Sequence, residues 1–272
     1  MSTIFLTGAA GNLGRVLSAG LADEHKLRLM DIVTARQIPD GAVFRLADLA
    51  DKDTVLALCE GVDAIVHFGA ISTEASFEEV LEANLRGTYH IFEGARRNGA
   101  RVVFASSNHA IGFHQRDEAL TEDCQLRPDS YYGLSKAYSE LLGRTYWDKY
   151  GVENACLRIG SCFAEPVDRR QLYTWLSFAD LTALVRCCLA ADTLGHAVYW
   201  GVSENTGRWW SDLAREQIGF SSEDSADAYG SIVEGSEDDM NPVARRYQGG
   251  AFCADGYSRS SPAPRQLFRG RG

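Results

Sequence analysis

No Cys-x-x-Cys pair occurs anywhere in this chain of 272 residues, and no apolar stretch is long enough to span a bilayer. The first absence removes the ligand spacing of a structural zinc site, so no metal centre is expected. The seven cysteines are Cys59, Cys124, Cys156, Cys162, Cys187, Cys188 and Cys253. Their odd number and their place in apolar runs suit reduced, buried thiols in a cytoplasmic protein rather than a disulfide framework. Positive charge is also scarce. With 27 Lys and Arg against 37 Asp and Glu, the formal net charge is −10, which argues against a nucleic-acid partner or an anionic membrane surface. A signal peptide is not expected, because the N-terminus runs directly into the strand-like Ile4-Phe5-Leu6. No internal repeat stands out.

What is present is a chain 45% hydrophobic and 24% charged, able to bury a large core. Strand-like and helix-like segments alternate. Ile4–Leu6, Leu27–Met30, Val43–Leu46, Asp63–Phe68, Val102–Ala105, Ala155–Ile159 and Ala197–Trp200 read as strands. Asn12–Ala22, Asp53–Cys59, Phe77–Asn98, Tyr132–Tyr150 and Asp180–Ala191 read as helices. Such alternation predicts an α/β fold of the doubly wound, Rossmann type, a parallel sheet with helices on both faces. Ligands then bind at the carboxyl edge of the strands. Residues 1–255 are expected to form one domain, with the substrate-binding portion mainly in 160–255. The acidic segment Ser221 to Asp239 reads as solvated surface. Residues 256–272 carry Arg259, Arg265, Arg269 and Arg271 among Ser, Pro and Gly, and read as a disordered basic tail.

Directly after the first strand stands Thr7-Gly8-Ala9-Ala10-Gly11-Asn12-Leu13-Gly14. Glycines so spaced permit a tight turn and close approach of backbone to a pyrophosphate, which then meets a helix N-terminus. Asp31 ends the second strand about 20 residues on, where a carboxylate accepts hydrogen bonds from the ribose of NAD and repels the extra phosphate of NADP. Arg36 keeps NADP open as a secondary option. Asp48 and Leu49 follow the third strand near the expected adenine. Phe68-Gly69-Ala70-Ile71-Ser72 follows the fourth, where small residues admit the cofactor.

Tyr132 and Lys136, four residues apart, share one helix face. An ammonium beside a phenol favours the phenolate and turns a poor base into a proton acceptor. With the glycine motif and the Asp48-Leu49 pair, this Tyr-x3-Lys resembles the extended short-chain dehydrogenase/reductase family, over roughly Thr3 to Trp200. The resemblance implies that Ser107, in Phe104-Ala105-Ser106-Ser107-Asn108-His109, is the catalytic hydroxyl beside Tyr132 and Lys136. It also implies that Ile159 and Cys162 complete the cofactor set. Asn84 matches the family's asparagine that supports the lysine through water, or is a polar residue in a helix kink.

Four further segments narrow the likeness: Ser106 to Phe113, Arg158 to Cys162, Arg169-Arg170 with Thr174-Trp175-Leu176-Ser177, and Arg246-Tyr247-Gln248-Gly249-Gly250. Together they resemble the uronate dehydrogenase branch, which implies NAD-dependent oxidation of C1 of D-glucuronate or D-galacturonate to the aldarolactone. The implied sugar site is Ser72, Ser107, Asn108, His109, Tyr132, Ser161 and Arg170. A guanidinium binds carboxylate at two points, with Arg169 the rival of Arg170. The expected partners are a small-molecule sugar acid and further copies of the chain. The competing expectations are a sugar-nucleotide epimerase, dehydratase or reductase on the same core, and a non-catalytic NAD-sensing protein.

Overall fold

The computed structural model describes residues 1–211, 213–231, 233 and 241–259. The tail expectation therefore lies, from 260 on, outside the described residues, as does part of the acidic segment. Among the described residues nine strands form: β1 (Thr3–Thr7), β2 (Lys26–Asp31), β3 (Val43–Leu46), β4 (Ala64–His67), β5 (Arg101–Ser107), β6 (Asn154–Ile159), β7 (Ser161–Cys162), β8 (Trp175–Leu176) and β9 (His196–Gly201). Seven of them make one sheet in the order β3-β2-β1-β4-β5-β6-β9. Every neighbouring pair is parallel. The chain order reverses between β1 and β4, which opens the crevice where such folds take their ligands.

The main helices are α1 (Asn12–Leu21), α2 (Lys52–Leu58), α3 (Phe77–Val80), α4 (Gly87–Asn98), α5 (Tyr131–Tyr150), α6 (Gln171–Thr174) and α7 (Phe178–Ala190). Side chains alternate across each strand, so β1 sends Ile4 and Leu6 to one face and Phe5 to the other. Ile4 and Leu6 pack with Leu17 and Leu21 of α1 and with Leu181 and Leu184 of α7. Phe5 packs with Val55 of α2, Ile91 and Phe92 of α4, and Tyr146 of α5. All six residues of β6 are buried, as a strand covered on both faces requires. Caps fix the ends of α5: the Ser130 hydroxyl accepts from the Gly133 amide at its start, and Gly151, at φ 68°, ends it in the left-handed region.

One helix departs from the reading of the sequence. The single helix over Phe77–Asn98 is interrupted by a π-helical turn at Leu81–Arg86. Buried Asn84 sits in that turn. Its amide oxygen accepts from the Ile71 amide at 2.8 Å, while its amide nitrogen donates to the Ile71 carbonyl at 3.0 Å and to the Ser135 hydroxyl at 2.9 Å. The wider turn lets one side chain satisfy two partners and fasten the loop after β4 to α5. Beyond β6 the chain builds the second rim. The pair β7 and β8 carries Ser161, and the segment after Asn241 folds back on the loop between β5 and α5, with Tyr247 bridged to Gln115. No described helix is long and apolar enough to cross a membrane.

Candidate active site

A cavity of about 1190 Å³ lies along the carboxyl edge of the sheet. Its walls come from the ends of β2, β4, β5 and β6 and from the C-terminal segment around Gly249–Phe252. Every residue expected to hold cofactor or sugar lines this one space, from Gly8 and Asp31 to Ser161 and Arg170.

The glycine turn between β1 and α1 has the shape that its sequence demands. Gly8 has φ +71°, and a Cβ there would lie 2.6 Å from the Gly69 nitrogen, on the loop after β4. A Cβ on Gly14 would run into the Gly8 carbonyl. The result is a cradle of bare backbone in front of α1, which suits a pyrophosphate. Asp31 closes it: one carboxylate oxygen accepts from the Ala10 amide at 2.9 Å and the other from the Val33 amide at 3.2 Å. Asp48 and Leu49 stand beside it, while Arg36 is exposed and does not line the cavity. The residues present therefore fit a dinucleotide with a free ribose.

Tyr132 and Lys136 stand together on the first turns of α5, both buried. Burial pushes the Tyr132 phenol up to about 12, while a hydrogen bond with Ser107 draws it down and the charge of Asp129 opposes ionisation. Burial also lowers Lys136 to about 7. Its Nζ donates to the Ala105 carbonyl at 2.7 Å and lies 5.5 Å from the centre of the Tyr132 ring. Helix spacing does bring the two together, but Lys136 is tied to β5, and the hydrogen bond that lowers the Tyr132 pKa comes from Ser107. The choice between the adjacent serines also has a geometric basis, since the Ser106 hydroxyl is spent on buried Glu140 at 2.5 Å. Asn84 lies in the π-helical turn, bonded to Ile71 and Ser135, which agrees with the kink reading.

At the other end of the cavity stands Arg170, half-buried, with burial pulling its pKa below the ordinary arginine value. Its Nε donates to the Gln248 carbonyl at 2.8 Å and its Nη1 to the Ser161 hydroxyl at 3.4 Å. In the amide orientation that satisfies both its ends, Asn108 accepts from Arg170 Nη2 at 2.7 Å and donates to the Ile159 carbonyl at 3.2 Å. Arg169 is exposed and outside the lining. His109 lines the cavity between Tyr132, 5.7 Å away edge-on, and Phe252, stacked at 3.9 Å.

The sequence reading missed several neighbours. Phe252 and Arg116 line the space, Gln248 holds Arg170, and Asp129 holds His109. The Gly249-Gly250 pair was the available signal for the C-terminal wall: Gly250 has φ +64°, and its bare Cα lets the Arg170 side chain pass.

Comparison with known proteins gives the family. The profile of the NAD dependent epimerase/dehydratase family matches residues 4–190. The chain is 47% identical to a uronate dehydrogenase of Pseudomonas syringae pv. tomato, over 93% of this chain and 94% of that protein. It is 44% identical to a uronate dehydrogenase of Pseudomonas putida, over 93% and 96%. It also superposes, with a TM-score of 0.89 and 40% identity, on a crystal structure of a uronate dehydrogenase from Agrobacterium tumefaciens, a tyrosine-to-alanine mutant complexed with NAD. That match covers 93% of this chain and 97% of the other.

Proposed function

We propose, for a chain that belongs to the NAD dependent epimerase/dehydratase family in its uronate dehydrogenase branch, that it oxidises C1 of a free hexuronic acid to the aldarolactone with NAD. The substrate is D-glucuronate, D-galacturonate or both. The observation that carries this reading is one cavity holding the Tyr132–Ser107 pair and a guanidinium braced from behind by Gln248, Ser161 and Asn108.

Bound NAD supplies the hydride acceptor. Gly8, Gly11, Asn12, Leu13 and Gly14 would hold its pyrophosphate and Asp31 its adenosine ribose, with Asp48, Leu49, Phe68, Gly69, Ala70, Ile159 and Cys162 completing its site. Ser107 orients the C1 hydroxyl and Tyr132 takes its proton as the C1–H pair departs as hydride, leaving the C1 carbonyl of the lactone. An ammonium at Lys136, 5.5 Å from the centre of the Tyr132 ring, adds to Ser107 in favouring a phenolate as it forms there. Arg170 receives the carboxylate, and Ser72, Asn108, His109 and Ser161 receive the hydroxyls. A short site of this kind, walled by residues 241–254, fits a free sugar acid. The proposal includes a cytoplasmic enzyme that assembles from several copies of the chain.

The test is NADH formation, followed by absorbance, with free uronates, neutral aldoses and UDP-sugars. Turnover confined to free uronates is expected. Turnover of UDP-sugars alone would transfer the assignment to the sugar-nucleotide enzymes. NAD binding without turnover on the whole panel would revive the sensing protein.

A further inference from the structure

We propose that Asp129 is a positioning residue that fixes His109 as the Nδ1–H tautomer, and so makes its Nε2 a hydrogen-bond acceptor for one sugar hydroxyl. The inference rests on the reading above that His109 meets the sugar. Asp129 stands just before the Ser130 cap of α5, and its side chain is 0% exposed. One carboxylate oxygen lies 2.7 Å from His109 Nδ1, and the other accepts from the Ser130 hydroxyl at 2.8 Å. The Asp129 amide donates to the His109 carbonyl at 3.3 Å, so the two residues are tied through backbone as well as side chain. Space for the carboxylate is made by missing side chains. A Cβ on Gly112 or on Gly249 would run into it, and one on Gly133 would come within 2.9 Å. Cys253 adds a weak thiol donor at 3.8 Å. Among the described residues the ion-pair partner of this buried carboxylate is His109, and no lysine or arginine bridges to it.

The histidine ring is held on its other sides too. Its face lies on Phe252 and its edge on Tyr132. With Nδ1 turned to Asp129, Nε2 makes no hydrogen bond among the described residues, and the ring lines the cavity. A second-side hydrogen bond of this kind sets which nitrogen carries the proton. A neutral acceptor suits a polyol hydroxyl, whereas a donor would duplicate Arg170.

The experiment reads the tautomer directly. Long-range 1H–15N spectra of the full chain with 15N-labelled histidine, at pH 8, assign His109 by its loss in His109→Gln. The expected wild-type signal is the Nδ1–H form, with the Nε2–H form appearing in Asp129→Ala. That variant should lose about tenfold in kcat/KM for the uronate, keep its KM for NAD within twofold, and cost nothing further in the His109→Gln background. An imidazolium or Nε2–H form in the wild type would overturn the proposal, as would an unchanged tautomer in Asp129→Ala or an added tenfold loss in the double variant. Should the wild type turn over no uronate, the functional reading fails while the tautomer result still stands.

Discussion

Replacing Arg170 with Met removes a charge and keeps much of the side-chain volume, and its effect can be worked from the hydrogen-bond inventory. A guanidinium carries five N–H groups. In the structure Nε is committed to Gln248, one Nη1 hydrogen to Ser161 and one Nη2 hydrogen to Asn108. One N–H remains on each terminal nitrogen, the pair that a carboxylate takes in fork geometry. Two charge-assisted bonds at about 1.5–3 kcal/mol each are lost on substitution. At about 1.4 kcal/mol per decade, that is roughly 10²- to 10⁴-fold in kcat/KM for a uronate. Steady-state kinetics at saturating NAD read this loss, and the KM for NAD should stay within about twofold, because Arg170 sits at the sugar end. A companion Arg169→Ala, at an exposed position, should behave as wild type. Uronate kcat/KM within threefold of wild type in Arg170→Met would refute the assignment. A matching loss in Arg169→Ala would move the carboxylate to that residue.

Three further outcomes follow from the same geometry. Tyr132→Phe removes the proton acceptor and should lower kcat by 10²-fold or more while NADH binding, read by fluorescence, is unchanged; normal turnover would reject the proton path. Asp31→Ala should weaken NAD by roughly tenfold or more and narrow its advantage over NADP, since one carboxylate both binds the ribose and repels a phosphate; an unchanged cofactor ratio in kinetics would count against that role. Lys136 is depressed by burial to about 7 from 10.5. Below pH 7 folded and unfolded chains both carry its proton, and the cost of the buried charge is complete. Between pH 7 and about 10.5 only the unfolded chain carries it, so the wild type gains stability as pH rises. Lys136→Met should therefore exceed wild type at pH 6 by on the order of 3–5 kcal/mol, an advantage that fades toward pH 10 in denaturant titrations. An advantage that stays constant with pH would show that Lys136 is charged throughout.

The parts of the site that could be read from the chain are those set by short spacings. Gly8, Gly11 and Gly14 lie within one turn, Asp31 ends the next strand, and Tyr132 and Lys136 share a helix face, so local geometry forces each to its place. The π-helical turn at Leu81–Arg86 escaped, because apolar spacing averaged over a long helix does not register one widened turn. Its cause is the two-sided bonding of Asn84 to Ile71 and Ser135, and these partners are 13 and 51 residues away. Burial escaped as well. Helix spacing puts an ammonium near a phenol, but only packing shows that both are dehydrated, that Lys136 bonds Ala105, and that Ser107 is the phenol's helper.

The end of the cavity proposed to take the sugar is held by the least local contacts, and that has a physical consequence. The bond that anchors Arg170 Nε comes from the Gln248 carbonyl, 78 residues further along the chain. Gln248 is itself fixed by its side chain: Trp210 Nε1 donates to it at 2.8 Å, and it donates to the carbonyls of Gln115 and Glu118 at 3.0 and 2.9 Å. Those carbonyls belong to the same connection between β5 and α5 that carries Asn108, His109 and Asp129. Arg170 and the connection that carries His109 are thus fastened to each other through one buried glutamine. Among the described residues the glycine cradle and Tyr132, set on α1 and α5, have no hydrogen bond to it. On the proposed reading, changes in the C-terminal segment should alter which sugar is accepted before they alter whether hydride moves.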